Sequence, residues 1–319
     1  MLRQDFQDFV AFKRALGRKY RGEEAVLRQL DRFLAGRRVA SVRAINDDVL
    51  GSFFSSVRRP SARGFNQLVG IVERFFDWMV RHDRLPRSPI VTRHRRRGIA
   101  LRPCILDAAA VGRLLDLASS LSDPAGRKPR RGRVYRLIFA VLYALGLRVG
   151  ELTRLRWADV DFKRRALVIR ETKFGKTRLV PFGPRVEAAL RAHREAERDG
   201  TDTADGAPVF SLRGGRPPNP NTISATFHAL ASKLEVTVPF GVRRPRLHDL
   251  RHSFAVGTLL RWYRAGLNAN DMLLHLATFL GHVDAMSTAV YLTMTPELLN
   301  EANGRFARLL GPSLREALA

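Results

Sequence analysis

The sequence predicts a mainly α chain carrying one small β-hairpin or sheet, with an all-helical N-terminal part and an α+β C-terminal part. Three observations predict it. Apolar residues recur at helical spacing over most of the 319 residues. The period turns strand-like only around Ala166-Leu167-Val168-Ile169 and Thr177-Arg178-Leu179-Val180. A basic stretch marked by Gly and Pro, and lacking periodicity, interrupts the pattern near Gly98 to Pro103. A hydrophobic content of 45% is enough to build real cores and argues against a disordered chain.

In the first part, Phe6, Phe9, Val10, Lys13 and Leu16 share a helical spacing, with Gly17 near the end. Ala25 to Leu34 repeats the pattern and stops at Gly36. Asn46 is an N-cap candidate for Asp47 to Phe54. Ser61 is one for a long helix whose apolar face holds Leu68, Val69, Val72, Phe75, Phe76 and Met79. These aromatics read as core. Residues 1–97 thus make a small helical domain. The run Arg93, His94, Arg95, Arg96, Arg97, continued by a linker at 98–104, suits either a phosphate backbone or a solvated hinge.

The second part, 105–319, opens with a helix from Asp107 to Ala118. A loop rich in Arg and Lys follows, then a strongly apolar helix from Arg136 to Leu147. Lys173-Phe174-Gly175-Lys176 joins the two strands as a hairpin turn. The remainder is helical, broken by a Gly/Pro-rich loop from Gly214 to Asn221. Thr295-Pro296-Glu297 starts a final helix at about 295–312, whose apolar stripe is Leu298, Leu299, Ala302, Phe306, Leu309 and Leu310.

The net charge is +26. Residues 1–97 carry 22 basic and 10 acidic groups, so the excess is spread over both parts and both look able to face a polyanion. The longest apolar run, near Leu137 to Leu147, is too short to span a bilayer, so no membrane is expected. Cys104 is the single cysteine, which excludes an internal disulfide and a cysteine-rich zinc module. Asp5, Asp8, Lys13 and Arg14 interrupt any secretory apolar core. A cytoplasmic, nucleoid-associated setting is the expectation.

Four segments could carry chemistry. They are Gly146-Leu147-Arg148-Val149-Gly150-Glu151, the hairpin tip with Lys173, His248-Asp249-Leu250-Arg251-His252, and Leu280-Gly281-His282 followed by Tyr291. Each has an ordinary structural reading: a helix-end ion pair, hairpin charges, a polar helix face, a core tyrosine. His248 and His252 also stand at i, i+4, which superficially resembles a zincin helix. Asp249 replaces the usual Glu there, and the Arg251 guanidinium between the ligands opposes a cation. No metal is expected.

Taken together and in this order, the four segments resemble the tyrosine recombinase (phage integrase) family, the group that includes lambda integrase and the Xer recombinases. The resemblance spans nearly the whole chain. It implies an N-terminal SAM-like helical core-binding domain, a basic linker and a tyrosine recombinase catalytic domain. It implies that Arg148 and Arg251 are the catalytic arginines, Lys173 the hairpin lysine, His248 the partner of Arg251, His282 the later histidine and Tyr291 the nucleophile. Lys176 is the weaker candidate for the lysine role. Glu151 is expected to orient Arg148 or its turn. Tyr20, Tyr135, Tyr143 and Tyr263 lie at the wrong places in the order. The interval from Arg251 to His282 is long for the family, which leaves His275 as a competitor of His282.

The chemistry agrees. Guanidinium forks match the nonbridging oxygens of a phosphodiester and stabilise charge that develops there. Histidines add hydrogen bonds and proton transfer. Surrounding positive charge is expected to favour the Tyr291 phenolate. The resemblance further implies a 3′-phosphotyrosine intermediate, strand exchange through a Holliday junction, and no ATP, metal or other cofactor. The expected partner is double-stranded DNA with inverted-repeat arms, bound by a homo-tetramer or a hetero-tetramer with related recombinases. The final helix is expected to dock on a neighbouring protomer. Arg93, Arg95, Arg96, Arg97, Arg243, Arg244 and Arg246 are candidate DNA contacts. Transposition of a mobile element suits such an enzyme. A regulator descended from a recombinase and a type IB topoisomerase-like activity are the alternatives.

Overall fold

The computed structural model describes residues 2–39, 41–92, 94–96, 98, 101–123, 130–170, 177–197, 204–212, 215–282, 286–293, 298–301 and 303–304. The chain divides into two compact units, Met1–Ala100 and Leu101–Ala319. Among the described residues, no helix is long and apolar enough to cross a membrane.

The first unit contains α1 (Arg3–Ala15), α2 (Arg21–Gly36), α3 (Asp47–Ser56) and α4 (Ala62–Arg81). Asn46 and Ser61 cap α3 and α4 through their side-chain oxygens, which accept from Val49 N and Gly64 N. The aromatic face of α4 packs on α1: Phe75 lies 4.5 Å from Phe6 and 5.5 Å from Phe9 between ring centroids. Fully burying such a ring contributes about 1.5–3 kcal/mol relative to leaving it exposed. The basic run belongs partly to this unit. The Asn66 amide on α4 donates to Arg95 O at 2.8 Å and accepts from Arg95 N at 2.7 Å. The Arg95 guanidinium lies 3.9 Å over the Phe65 ring. Arg95 and Arg96 are exposed, while Arg93 and Arg97 lie outside the described residues.

The second unit is built on α6 (Arg131–Leu145), which packs against α5 (Ala108–Ser119) and α10 (Asp249–Arg264). Val134, Tyr135, Ile138, Phe139, Val141 and Leu142 are all buried, as befits a helix apolar on most sides. α6 starts at Arg131, earlier than the apolar run suggested, because Asp123 accepts from the first backbone N–H groups, those of Arg130 and Arg131. Arg102 to Cys104, expected as the end of the linker, also belong here. Arg102 N donates to Gly241 O and Arg243 N to Arg102 O, and Cys104 is buried.

The sheet has three antiparallel strands in the order β1 (Val160–Asp161), β2 (Ala166–Ile169) and β3 (Arg178–Pro181). β1 is an addition to the expected hairpin. Val180 pairs with Leu167, and Arg178 with Ile169. Strand alternation puts Arg178 on the same inner side as buried Val180, with Leu179 exposed. Lys173 and Lys176 lie outside the described residues. α7 (Val149–Leu152), α8 (Pro184–Glu197), α9 (Pro220–Ala231), α11 (Ala269–Leu280) and α12 (Met286–Ala289) complete the unit, with a short 3-10 turn at Val290–Thr293.

Of the apolar stripe expected on the final helix, Leu298 and Leu299 are described. Leu298, placed in the stripe meant for a neighbouring protomer, is fully buried in its own unit with Ala255, Val256, Leu259, Leu276 and Tyr291. Leu299 is half exposed. Ala302, Phe306, Leu309 and Leu310 lie outside the described residues.

Candidate active site

The site is assembled from helix ends. The last carbonyls of an α-helix lack intrahelical donors, and the negative end of the helix dipole favours cations. α11 ends at Gly281, which has φ of +67°. His282 N donates back to Ala277 O and Gly281 N to Thr278 O, a Schellman closure. Three carbonyls at this end are taken by arginines. Arg178 Nε donates to Phe279 O at 2.9 Å, Arg251 Nη2 to Leu280 O at 2.7 Å, and Arg148 Nη2 to Gly281 O at 3.1 Å. α6 ends at Gly146, with φ of +57°, and its carbonyl accepts from Arg251 Nη1 at 2.6 Å. A Cβ at Gly146 would come within 2.5 Å of the Phe254 ring, and one at Gly281 within 2.8 Å of Arg178. Both turns therefore require glycine on two counts, conformation and space.

Glu151 ties the arginines together. Its carboxylate accepts from Arg148 N at 3.0 Å and Arg148 Nη1 at 2.8 Å. It also takes a two-pronged contact from Arg178, at 3.0 and 2.9 Å. Burial alone would raise this carboxyl, but the Arg178 fork and the two Arg148 donors outweigh it and hold Glu151 down to about 2. Exposure falls in the order Arg148, Arg178, Arg251: the side chain of Arg148 is 33% exposed, that of Arg178 10%, and residue Arg251 2%. Burial, followed by the nearby Arg148 charge, lowers Arg251 to about 10, so it stays charged at neutral pH.

α10 delivers the histidines. His248 is its N-cap residue and meets His252 edge to face at 4.7 Å. Asp249, fully buried, accepts from Arg246 N at 2.9 Å and from Arg243 Nη2 at 3.2 Å. Arg243 thus turns toward Asp249, whereas Arg244 and Arg246 are exposed. His282 lies 2.7 Å from Thr288 Oγ1 through Nδ1, and its ring stacks on Tyr291 at 6.3 Å. His275 is exposed and sits against Asp271 O, away from this cluster.

Tyr291 is buried in the 3-10 turn, and its hydroxyl lies 3.0 Å from His252 Nδ1. Burial raises its phenol, partly opposed by Arg251 and Arg148. The expected drop toward phenolate is therefore not present, because removing the oxygen from water outweighs the guanidinium charges. His252 and His282 are each pushed down to about 4, first by burial and then by arginines; Arg243 leads for His252 and Arg251 for His282. His248, open to solvent on one side, moves in the same direction through desolvation and its positive neighbours. The arrangement is a cationic pocket with neutral imidazoles beside a protonated phenol. Among the described residues, no three His, Cys, Asp or Glu side chains form a metal-binding group.

Arg148, Arg251, His282, Glu151 and Tyr291 come together around the end of α11, with His248 at the edge. Sequence reasoning missed Arg178, His252 and Thr288. Arg178 is one of 56 basic residues, and only its alternation with Val180 signals an inward side chain. His252 stood in a motif already quoted, but only as half of a rejected metal pair. Nothing local marks Thr288.

The profile of the phage integrase family matches residues 106–297. The chain belongs to the phage integrase family of tyrosine-type site-specific recombinases. The recombinase is 33% identical over 96% of its length to a Sinorhizobium fredii protein named integrase/recombinase y4rB, covering 97% of that relative. It is 28% identical over 72% of its length to the tyrosine recombinase XerC of Xanthomonas campestris, covering 64% of it. Its fold is that of the Tn1549 transposon integrase in complex with transposon right end DNA: TM-score 0.64, 18% identity, 96% of this chain and 98% of that one. A lambda integrase tetramer bound to a Holliday junction shares the fold at TM-score 0.59 and 16% identity, covering 89% of this chain and 78% of that one.

Proposed function

We propose that this recombinase cuts and rejoins duplex DNA through a 3′-phosphotyrosine on Tyr291, exchanging strands through a Holliday junction. The observation that carries the reading is the approach of one buried phenol to two guanidinium groups that are themselves anchored on helix carbonyls. Arg148, the more exposed, binds the nonbridging oxygens first, and Arg251 stabilises the charge that grows on them at the transition state. The carbonyls of Gly146, Leu280 and Gly281 hold both forks in place, so no reorganisation is needed at the moment of attack. His248 and His282, neutral at pH 7, each donate a ring N–H to a phosphate oxygen. Lys173 on the hairpin protonates the leaving 5′-oxygen. Glu151 and Arg178 are positioning residues, which set Arg148 and the end of α11.

The substrate in this reading is duplex DNA with inverted-repeat arms, and the working form a tetramer of this chain, alone or with related recombinases. The first unit grips one face of the duplex, with Arg93, Arg95, Arg96 and Arg97 along the backbone. Arg244 and Arg246 add contacts from the second unit. Arg243, paired with Asp249 and partly exposed, is a further candidate contact beside them.

A nicked suicide duplex, selected from random-sequence DNA by affinity for the full chain, tests the reading. The wild-type chain is expected to become covalently attached to it. Tyr291→Phe is expected to bind the same duplex with unchanged affinity and to form no adduct. An adduct with Tyr291→Phe would place the nucleophile elsewhere. Lys173→Ala is expected to slow cleavage far more than Lys176→Ala.

A further inference from the structure

We infer that His252 is a catalytic residue of this site, the general base that takes the proton from the Tyr291 hydroxyl. The inference rests on the reading of Tyr291 as nucleophile and adds to it the acceptor of its proton.

The geometry carries it. His252 Nδ1 lies 3.0 Å from the Tyr291 oxygen, within reach of direct proton transfer. His282 is the other imidazole beside the phenol, but its Nδ1 is engaged by Thr288 Oγ1 at 2.7 Å. The remaining nitrogen of His252 is turned to Asp249, whose Oδ1 lies 3.9 Å from Nε2. That buried carboxylate favours the tautomer with hydrogen on Nε2, which leaves Nδ1 with the lone pair that faces the phenol. Asp249 acts on His252 through its charge at 3.9 Å and not through a hydrogen bond, while the His252–Tyr291 contact is within hydrogen-bond reach. One helix supplies Asp249 and His252 one turn apart.

The electrostatic setting fits a neutral base. His252 is faced by Arg243 and Arg246 from the loop before α10, by Arg251 and His248 on and beside its own helix, and by His282 after α11. Asp249 is the acidic group among them. Positive neighbours and burial keep the imidazole unprotonated at neutral pH and also weaken it as a base, so the proton moves to Nδ1 only as the tyrosine oxygen bonds to phosphorus. In the step, the Tyr291 O–H bond breaks and its proton goes to Nδ1. The phenolate oxygen bonds to phosphorus, and the P–O5′ bond breaks. The electron pair stays on O5′, which takes a proton from Lys173 in the reading above. As the proton arrives His252 becomes an imidazolium beside the Asp249 carboxylate, while the arginines stabilise the negative charge on the nonbridging oxygens. On rejoining, the 5′-hydroxyl gives its proton back to Lys173 as O5′ bonds to phosphorus, the P–O bond to Tyr291 breaks, and Nδ1–H returns its proton to the leaving phenolate.

Two variants and two duplexes test this with the full chain. His252→Ala removes the base. His252→Asn keeps an oxygen near the Nδ1 position that can accept from the phenol but cannot carry its proton away. Both are expected to bind the selected duplex as wild type does and to form adduct about 10²-fold more slowly at pH 7. The deficit is expected to shrink as pH rises, because hydroxide then removes the proton. On a duplex with sulfur replacing the bridging 5′-oxygen at the scissile phosphate, the leaving group needs no proton. The Lys173→Ala defect should vanish there, and the His252 defect should persist. The inference is overturned if His252→Asn cleaves at the wild-type rate, if the deficit is the same at every pH, or if the sulfur duplex restores it. An adduct that is lost in Tyr291→Phe but unaltered in both His252 variants overturns this inference alone. An adduct that survives Tyr291→Phe removes the basis of both readings.

Discussion

α4 and α10 each pack within their own unit, yet α4 buries an almost wholly apolar face and α10 a mixed one. α4 hides Leu68, Val69, Val72, Phe75 and Phe76, with Asn66 as the polar exception. α10 hides Asp249, Arg251 and Ser253 together with Leu250, Val256 and Leu259. The first helix is held by loss of apolar surface to water, which has no direction. The second is held partly by hydrogen bonds with fixed partners: Arg251 to two helix-end carbonyls, Ser253 Oγ to Asp249 O, and Leu106 N to Ser253 Oγ at 2.8 Å. A buried polar group without its partner is costly, so such a helix tolerates little rearrangement. That rigidity suits the helix carrying His248, Arg251 and His252, the groups proposed to act on the phosphate, whereas α4 mainly fills space and holds Arg95 through Asn66.

The largest expected effect probes the apolar side of the contrast. Phe75→Ala should cost about 3–5 kcal/mol of stability, because the lost ring leaves a cavity. Urea unfolding measures it, and a cost under about 1 kcal/mol would show that α4 is not the centre of its core. Next comes Arg251→Lys. It keeps a positive charge but cannot reach both Gly146 O and Leu280 O with a planar fork. Adduct formation should fall by about 10²–10³-fold, with DNA affinity much less affected. Wild-type cleavage by this variant would mean that charge alone, and not the anchored geometry, matters.

Glu151→Gln sharpens the comparison through pH. The carboxyl is held to about 2 in the folded chain, below its ordinary 4.5. A lowered folded value means that its contribution is complete above about 4.5 and is lost as pH falls through about 2. That contribution is on the order of 3 kcal/mol. Wild-type stability should therefore drop over this window, and the Gln variant should lack the drop. The depressed histidines act earlier. His252 and His282 stabilise the folded chain above about 6.5, and that stabilisation is lost as pH falls toward 4. Thermal melts from pH 7 to pH 2 would separate the two windows. Arg95→Ala is the smallest change. It should weaken DNA binding several-fold on all sequences alike and reduce the log–log salt slope by about one. A sequence-dependent loss would reassign Arg95 from backbone to base contact.

Much of this architecture is legible in the sequence. The caps at Asn46 and Ser61, the aromatic face of α4, the apolar α6 and the hairpin strands follow from local spacing, which depends only on neighbours along the chain. The order of Arg148, His248, Arg251, His282 and Tyr291 was enough to suggest the family. What the sequence could not decide is which polar groups meet across long separations. Arg178 and Glu151 are 27 residues apart and Arg251 and Gly146 are 105 apart. His252 and Tyr291 are 39 apart. Among so many arginines, composition does not separate the few that are buried and paired from those that are solvated. Only the convergence of two helix ends on one point did that, because unpaired carbonyls draw the guanidinium groups that lie within reach. Tertiary structure likewise decided that Arg243 pairs with Asp249 and that the phenol meets His252.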